Sequence, residues 1–553
     1  MSRPKVKRAV NKPFRLKPFP CQAHQILKEI RLLSNGSGNP RGDSFCPMAY
    51  LSDQLLSRYA APSKEGAELR ASLAVDKLLE SEKRNVTTNQ RLSEFDRNPP
   101  TKFVTSVINR ARIIISEILG EVDYEMFLRG GFSSGSSTSR LKRQGMAASK
   151  YDGKGDVTLR AYPYIAVLQH LSPLWTESCD KAYMRSGSLT TRVVEGNVVF
   201  TVPKDSTIDR AAAKEPDYNM YLQRAVGSHV RRKLRLHGID LNDQTVNQEL
   251  ARIGSTTGSL ATLDLSAASD SVTTGLVQLL FPQQWTDLLF DLRSERGVLP
   301  GSNRNEFHVW EMLSSMGNGY TFEVESLIFY SLCRAVAYVR GIRGTISVYG
   351  DDLIVPTQAV SGVRRILRYA GFRLNVDKSF YNTPFRESCG KHFYNGADVT
   401  PFYIREPVVN QIRLIHVLNH LRDWGAIGGI SDPRLYPIWE KYANRIPKAL
   451  WGSNIDSIFA LKSPIVEGCK TLKFAPVRKE QKHHSKFSHY IASLDTSVRP
   501  ETDNWLAKRF ESNQLSETTS VDSSYRLVPN RHCMFNSINH FCEEVPNTVV
   551  TNK

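Results

Sequence analysis

Residues 346–355, ISVYGDDLIV, set two carboxylates, Asp351 and Asp352, directly after a glycine and between two β-branched runs. The pattern predicts a β-hairpin with the acids at its tip. Adjacent acids at a tip can hold magnesium, which prefers oxygen ligands in octahedral geometry and completes its shell with water and substrate phosphates. They can equally be turn residues, since glycine beside aspartate is ordinary turn chemistry. A metal site calls for a third carboxylate on a neighbouring strand. Asp264, within the alternating stretch SLATLDLS (259–266), is the candidate. An ionised side chain there is costly unless it is paired or metal-bound. A buried Asp hydrogen-bonded to backbone is the plainer alternative. Asp270, six residues on in Ser269-Asp270-Ser271, also suits a helix N-cap.

These acids need elements to carry them, and between 259 and 380 the sequence becomes regular. SLATLDLS reads as a strand, TTGLVQLLF (273–281) as a helix, and TFEVESLIFYSLCRAVAY (321–338) as a long, largely buried helix. The hairpin follows, then a helix closed by glycine, VRRILRYAG (363–371), and a last strand, FRLNV (372–376). The order β-α-α-β-β-α-β predicts a small sheet with helices on one face, an α+β layer. From about 400 onward the pattern is mixed and mostly helical, and the last forty residues are polar and weakly patterned.

At 553 residues the chain exceeds a single compact core, so several lobes are expected. Its 73 Lys and Arg against 55 Asp and Glu leave a formal charge of +18, which favours a polyanionic partner, nucleic acid first. The N-terminus, MSRPKVKRAVNKPFRLKPFP, is basic and lacks the apolar core of a secretory signal. No run reaches the length of a membrane-spanning helix. Eight scattered cysteines have no disulfide-type spacing, which fits reduced thiols in a cytoplasm. The Gly- and Ser-rich segment 130–156 reads as a flexible cationic loop. HVRRKLRLHG (229–238) offers Arg231 and Arg232 as template-phosphate contacts, or simply a solvated helix face. RHCMFNSINHFC (531–542) fits no zinc spacing.

In order and spacing, DLSAASD, SMGNGYTFEVES, VYGDD and DKSF resemble the palm motifs of RNA-dependent RNA polymerases. The resemblance is closer to the replicase catalytic subunit of the single-stranded RNA bacteriophages, the leviviruses. It extends to FTVPKDSTIDRAAAKEPDYNMYLQ (200–223), GIDLNDQ (238–244), FRESCGKHFYNGADV (385–399) and LRDWGAIGGISDPRLY (421–436). Residues 195–440 carry most of it.

The resemblance implies a right-hand polymerase fold with fingers (1–258), palm (259–400, with a finger insertion at 282–312) and thumb and tail (401–553). It implies RNA-dependent RNA synthesis from NTPs with release of pyrophosphate. Two Mg²⁺ ions, replaceable by Mn²⁺, would be held by Asp264, Asp351 and Asp352 and would clamp an in-line displacement at phosphorus. There is no G-x-x-x-x-G-K-[ST] loop to cradle phosphates. Lys204, Arg210 and Lys214 match the family's basic finger motif, which contacts the incoming triphosphate. Asp270 matches the acid that selects ribose. Asn318, Glu325 and Ser326 fall at the sugar-contacting motif, where many relatives carry Asn in place of Glu325-Ser326. Lys378 matches the lysine that protonates pyrophosphate, or is an ordinary surface lysine. The implied partners are template RNA, NTPs, host translation elongation factors Tu and Ts and a host ribosomal protein, in the cytoplasm of an infected bacterium and without a membrane. A reverse transcriptase and a non-catalytic RNA-binding protein are the alternatives. The former usually has an aromatic steric gate where this chain has small residues and Asp270.

Overall fold

The computed structural model describes residues 19–59, 63–142, 145–183, 189–303, 306–426, 432–446, 451–452, 461–463, 472–475 and 526–529. The chain forms two compact units. One combines residues 1–61 with 401–482 and 516–553; the other combines 62–400 with 483–515. Residues 1–61, expected with the fingers, thus belong with the later part of the chain. Apolar side chains explain the grouping. Ile26, Ile30 and Leu51 form one buried cluster with Leu414, Leu418 and Tyr442. The cysteine- and histidine-bearing stretch 531–542 and nearly all of the tail lie outside the described residues. Cys21, Cys46, Cys179, Cys333 and Cys389 are free thiols. No described helix is long and apolar enough to cross a membrane.

The larger unit is α+β and holds every candidate site residue. Its central sheet is antiparallel, with strand Asp352–Pro356 between Leu260–Leu263 and Ser347–Tyr349. Leu353 pairs with Leu263, so one further step sets Asp352 across from Asp264. SLATLDLS is not one strand. It breaks at Asp264, whose N–H donates to no ladder carbonyl. Instead that N–H donates to Ser379 Oγ (3.1 Å) and the carbonyl accepts from the Asn375 N–H (2.9 Å). The short strand Leu265–Ser266 then pairs with Arg373–Leu374.

Helix Thr321–Arg340 packs against the sheet as expected, because it is apolar on most sides. It ends at Gly341, whose φ of 63° is the left-handed conformation that closes helices. Helix Val360–Tyr369 begins three residues earlier than its sequence pattern, led in by a 3₁₀ turn at Thr357–Ala359. It buries Val360, Val363, Ile366 and Leu367 and leaves its arginines outside. The segment 282–312 contributes an unforeseen helix, Gln283–Leu292. Its strands Arg296–Val298 and His308–Val309 extend the sheet of Gly196–Pro203 and Asp209–Lys214.

Two features were not legible beforehand. Lys64–Ser93 is a single 30-residue helix, capped by Ser63, whose Oγ accepts from the Gly66 N–H. Its inward stripe is largely polar: Ser81, Glu82, Asn85 and Thr88 are buried beside Leu78 and Leu92. The second is segment 130–156, which is packed rather than draped. Phe132 and Tyr151 are buried there, and the buried Lys150 Nζ donates to the Ser133 carbonyl at 2.7 Å. Arg140 pairs with Asp152 at 2.7 Å. Aromatic side chains and satisfied cations give this Gly/Ser-rich stretch a core that its composition conceals.

Candidate active site

The hairpin turn is built around Gly350. Its φ is 61°, and a Cβ there would lie 2.5 Å from the Phe322 ring and 3.4 Å from Glu325 Oε1. Only glycine meets both the conformation and the space. The Gly350 N–H donates to Ser326 Oγ (3.0 Å), and that hydroxyl donates to the Phe322 carbonyl (2.6 Å). Ser326 is fully buried, so its hydroxyl holds the hairpin to the long helix and is not presented to a sugar.

Three carboxylates meet at this end of the sheet, and each is held above the ordinary carboxylate range. Asp264 is pushed up to about 6, first by burial and also by Asp351, against the pull of Lys378 and of the Asn375 amide. Asp352 is pushed up to about 7, by burial, then Asp351, with the Cys389 N–H opposing. Asp351 is raised by burial, while Arg210, Lys378 and Lys204 draw it back. The three acids therefore sense one another, Asp264 and Asp351 both sense Lys378, and Asp351 also senses Arg210 and Lys204. Their oxygens are the hard donors that magnesium takes, and their surplus negative charge is what a cation relieves. Among the described residues no three His, Cys, Asp or Glu side chains converge closely enough to hold an ion as they stand. Asp264 Oδ2 is occupied by the Asn375 amide (2.7 Å), and Asp352 Oδ1 lies 3.4 Å from Ser388 Oγ.

Opposite the acids stands a cationic group. Lys204 is lowered by desolvation first, then by Arg210 and Lys77, with Lys378 adding to the repulsion. Lys204 and Arg210 flank the turn of the hairpin formed by Gly196–Pro203 and Asp209–Lys214. Arg210 is exposed, whereas the neighbouring Asp209 is anchored by Arg70 at 3.3 Å. Lys214 is drawn away: its ammonium lies 5.4 Å from the centroid of the Phe200 ring. Lys77, on the 30-residue helix, is a further member that sequence reasoning missed, because a lysine in a charge-rich helix carries no signal of its own.

Asp270 lies in a 3₁₀ turn, Ser269–Ser271, rather than at the N-cap of the following helix, which Thr273 caps. Desolvation and Glu82 raise it to about 6, while Lys77, Arg210 and Lys204 pull it down. Its backbone carbonyl accepts from Asn85 Nδ2 at 2.8 Å. Asn318 Oδ1 accepts from the Tyr320 N–H (2.9 Å), and its buried Nδ2 has no partner among the described residues. Glu325 is buried, raised well above its usual value by burial and then by Asp351 and Asp270, and its Oε2 is likewise unpartnered. Asn318 Nδ2 and Glu325 Oε2 are thus buried polar atoms without partners among the described residues.

Arg231 and Arg232 part company. The Arg231 guanidinium is bound to Glu323 Oε1 (2.6 and 2.9 Å) and to the Leu241 carbonyl (2.6 Å). It therefore serves the fold, a correction to the template role expected of it. Arg232 is exposed on the same helix, Asp217–Leu236. Lys378 stands 3.7 Å from Glu387 Oε1 and within the field of Asp264 and Asp351.

Residues 18–540 match the family described as RNA replicase, beta-chain. The chain is 39% identical over 457 residues to the RNA-directed RNA polymerase beta chain of Enterobacteria phage fr, covering 80% of this chain and 81% of that one. It is 40% identical over 432 residues to that of Escherichia phage MS2, with 77% of each covered. With that of Enterobacteria phage GA it shares 36% over 510 residues, 92% of each. Among solved structures, the BmCPV RNA-dependent RNA polymerase at elongation state aligns at a TM-score of 0.35 and 10% identity, over 63% of this chain and 33% of that one. On the strength of the sequence match, the chain belongs to the RNA replicase beta-chain family.

Proposed function

We propose how these residues carry out RNA-directed RNA synthesis: by metal-dependent transfer of a nucleotide from an NTP to the 3′-hydroxyl of a growing RNA. One observation supports this above the rest. Asp264, Asp351 and Asp352 sit on adjacent strands and a turn, Lys204, Arg210 and Lys378 act on Asp351, and Lys378 acts on Asp264 as well. An acidic floor under a cationic wall suits a triphosphate with its divalent ions. Two Mg²⁺ ions, or Mn²⁺ in their place, would be held by Asp264 and Asp351 with Asp352 beside them. When bound, they supply Lewis acidity at the hydroxyl and neutralise charge on the phosphates.

The chain's own groups do the rest. Lys204 and Arg210 hold the triphosphate oxygens, with Lys214 outside this contact. As the 3′-hydroxyl gives up its proton to water and its oxygen bonds to the α-phosphorus, the bond from that phosphorus to the bridging oxygen breaks. Lys378 passes a proton to the departing pyrophosphate and is reprotonated from water. Asp270 and the Asn318 amide face the ribose, and Glu325 supports the hairpin from beneath. Arg232 and the net positive charge favour template binding. In right-hand terms, residues 62–258 with 282–312 form fingers, the rest of 259–400 the palm, and 401–553 the thumb and tail, with residues 1–61 grouped with the latter.

Phage relatives support a site of action within an infected bacterium, in its cytoplasm, and the beta-chain designation supports assembly with other subunits. The family resemblance implies that those are the host elongation factors Tu and Ts and a ribosomal protein. The test is incorporation of labelled NTPs and dNTPs on template RNA with Mg²⁺, with and without host extract. NTP incorporation is expected, and Asp351→Asn should abolish it while RNA binding persists. Equal activity in that variant sinks the metal assignment, and preference for dNTPs sinks the RNA-polymerase reading.

A further inference from the structure

Glu387 belongs to none of the roles above, yet it is placed among them. It lies on strand Phe385–Ser388, in register with His392 on Lys391–Tyr394. Its Oε1 stands 3.7 Å from Lys378 Nζ and 3.5 Å from His392 Nε2. The Lys378 side chain is 52% exposed and the Glu387 side chain 19%, so a mobile cation meets an anchored anion. Three contacts fix the anchor. The Glu387 N–H donates to Thr262 Oγ1 at 3.4 Å, tying it to the strand that leads into Asp264. The His392 N–H donates to Thr400 Oγ1 at 2.9 Å. His392 is itself only 3% exposed and meets the Phe385 ring edge-on.

We propose that Glu387, braced by His392, is the positioning residue that holds Lys378 in place and in its protonated form for delivery to the departing pyrophosphate. This rests on Lys378 being the general acid. The ionisable groups around Lys378 are Glu387, Asp264, Asp351 and Lys204. Asp264 and Asp351 are committed to cations in a loaded site, and Lys204 repels. Glu387 is the carboxylate left to serve as standing counter-charge when a nucleotide is bound. An anion beside an ammonium favours its charged form, and a braced anion also limits where a four-carbon side chain can swing. The proton itself moves from Lys378 to the pyrophosphate oxygen; Glu387 neither gives nor takes one.

The test is single-nucleotide incorporation by the assembled replicase, followed across pH, for Glu387→Gln, Glu387→Asp, Lys378→Leu and the double variant Glu387→Gln/Lys378→Leu. Lys378→Leu should cost about 10²-fold in kcat, the scale of a lost general acid, and Glu387→Gln roughly tenfold with KM for NTP nearly unchanged. The alkaline limb of the Glu387→Gln profile should move to lower pH, because the ammonium has lost its counter-charge. Glu387→Asp should recover part of the rate, and Glu387→Gln should add nothing once Lys378 is gone. An unshifted Glu387→Gln profile at full kcat overturns the proposal while leaving the acid role intact. The same loss with or without Lys378 overturns it too, assigning Glu387 to the fold. A Lys378→Leu enzyme with unchanged kcat and pH profile overturns the acid reading itself, and this proposal with it.

Discussion

Asn375 grips Asp264 at both ends of the residue. Its side-chain amide donates to Asp264 Oδ2 at 2.7 Å, and its backbone N–H donates to the Asp264 carbonyl at 2.9 Å. Since Asn375 is three residues before Lys378, the loop that carries the lysine is moored on the acid. A group that orients a ligating carboxylate from behind typically matters about 10–100-fold in metal affinity. Asn375→Ala is therefore expected to weaken Mn²⁺ binding by about that factor. The readout is Mn²⁺ titration followed by electron paramagnetic resonance without nucleotide. Unchanged affinity would show that the amide merely occupies an empty ligand.

The raised carboxylates make stability depend on pH in a fixed direction. Asp352 is near 3.8 when solvated and about 7 in the folded chain. Its contribution to stability is complete below pH 4 and is lost as pH rises through 7. Asp352→Asn removes that loss. Without divalent ions the variant should match the parent in thermal midpoint at pH 4 and exceed it increasingly up to pH 7, then level off. The gain at pH 8 should be on the order of 1–2 kcal/mol after allowance for solvent screening. A constant difference at every pH would contradict the assignment.

Ser326 and Gly350 test the hairpin's foundation. Ser326→Ala leaves the Gly350 N–H without its acceptor in a buried place, a loss of about 1–3 kcal/mol. Gly350→Ala meets both an unfavourable φ and the Phe322 ring, and should cost more. Both variants should lower the thermal midpoint and NTP incorporation together. Ser326→Ala with altered NTP-versus-dNTP preference and an unaltered midpoint would return that hydroxyl to the sugar.

Arg231 and Arg232 are adjacent and should behave oppositely. Arg231→Ala strands the Glu323 carboxylate, so it should reduce stability and leave the salt dependence of RNA binding intact. Arg232→Ala should leave stability alone and reduce the slope of log affinity against log salt by about one phosphate's worth, roughly 0.7–0.9. Filter binding over a salt series, paired with thermal unfolding, separates the two.

Much of the central sheet was legible because its signals are local. Alternation marked Leu260–Leu263, an apolar run marked Thr321–Arg340, and a glycine between β-branched runs marked the hairpin. Asp264, Asp351 and Asp352 were legible for the same reason, each being an acid in a context that makes an acid conspicuous. Lys77 and Asn375 were not, because their importance comes from neighbours 100 or more residues away, and Glu387 was not, because only the folded strand Phe385–Ser388 turns it toward Lys378 and His392. Lys77 reads as one more charge on a polar helix, and Asn375 as the end of a strand. Arg231 misled in the reverse sense: a basic run looks solvated until Glu323, 92 residues on, is seen to claim one member of it. The cation-filled packing of 130–156 was hidden because glycine and serine suggest slack, while Phe132, Tyr151 and Trp175 supply the order.

The helix Lys64–Ser93 spans about 45 Å at 1.5 Å per residue. Along it, Glu82 accepts from the Glu311 and Met312 N–H groups, Asn85 donates to the Asp270 carbonyl, and Asn89 accepts from the Gly275 N–H. One rod thus ties the turn that carries Asp270 to residues 311 and 312, which lead into the glycine loop at 317–319. The placement of Asp270 against residues 311 and 312 is therefore set by side chains about 185–230 residues away in sequence, so that on the proposed reading fidelity would answer to substitutions far from the nucleotide.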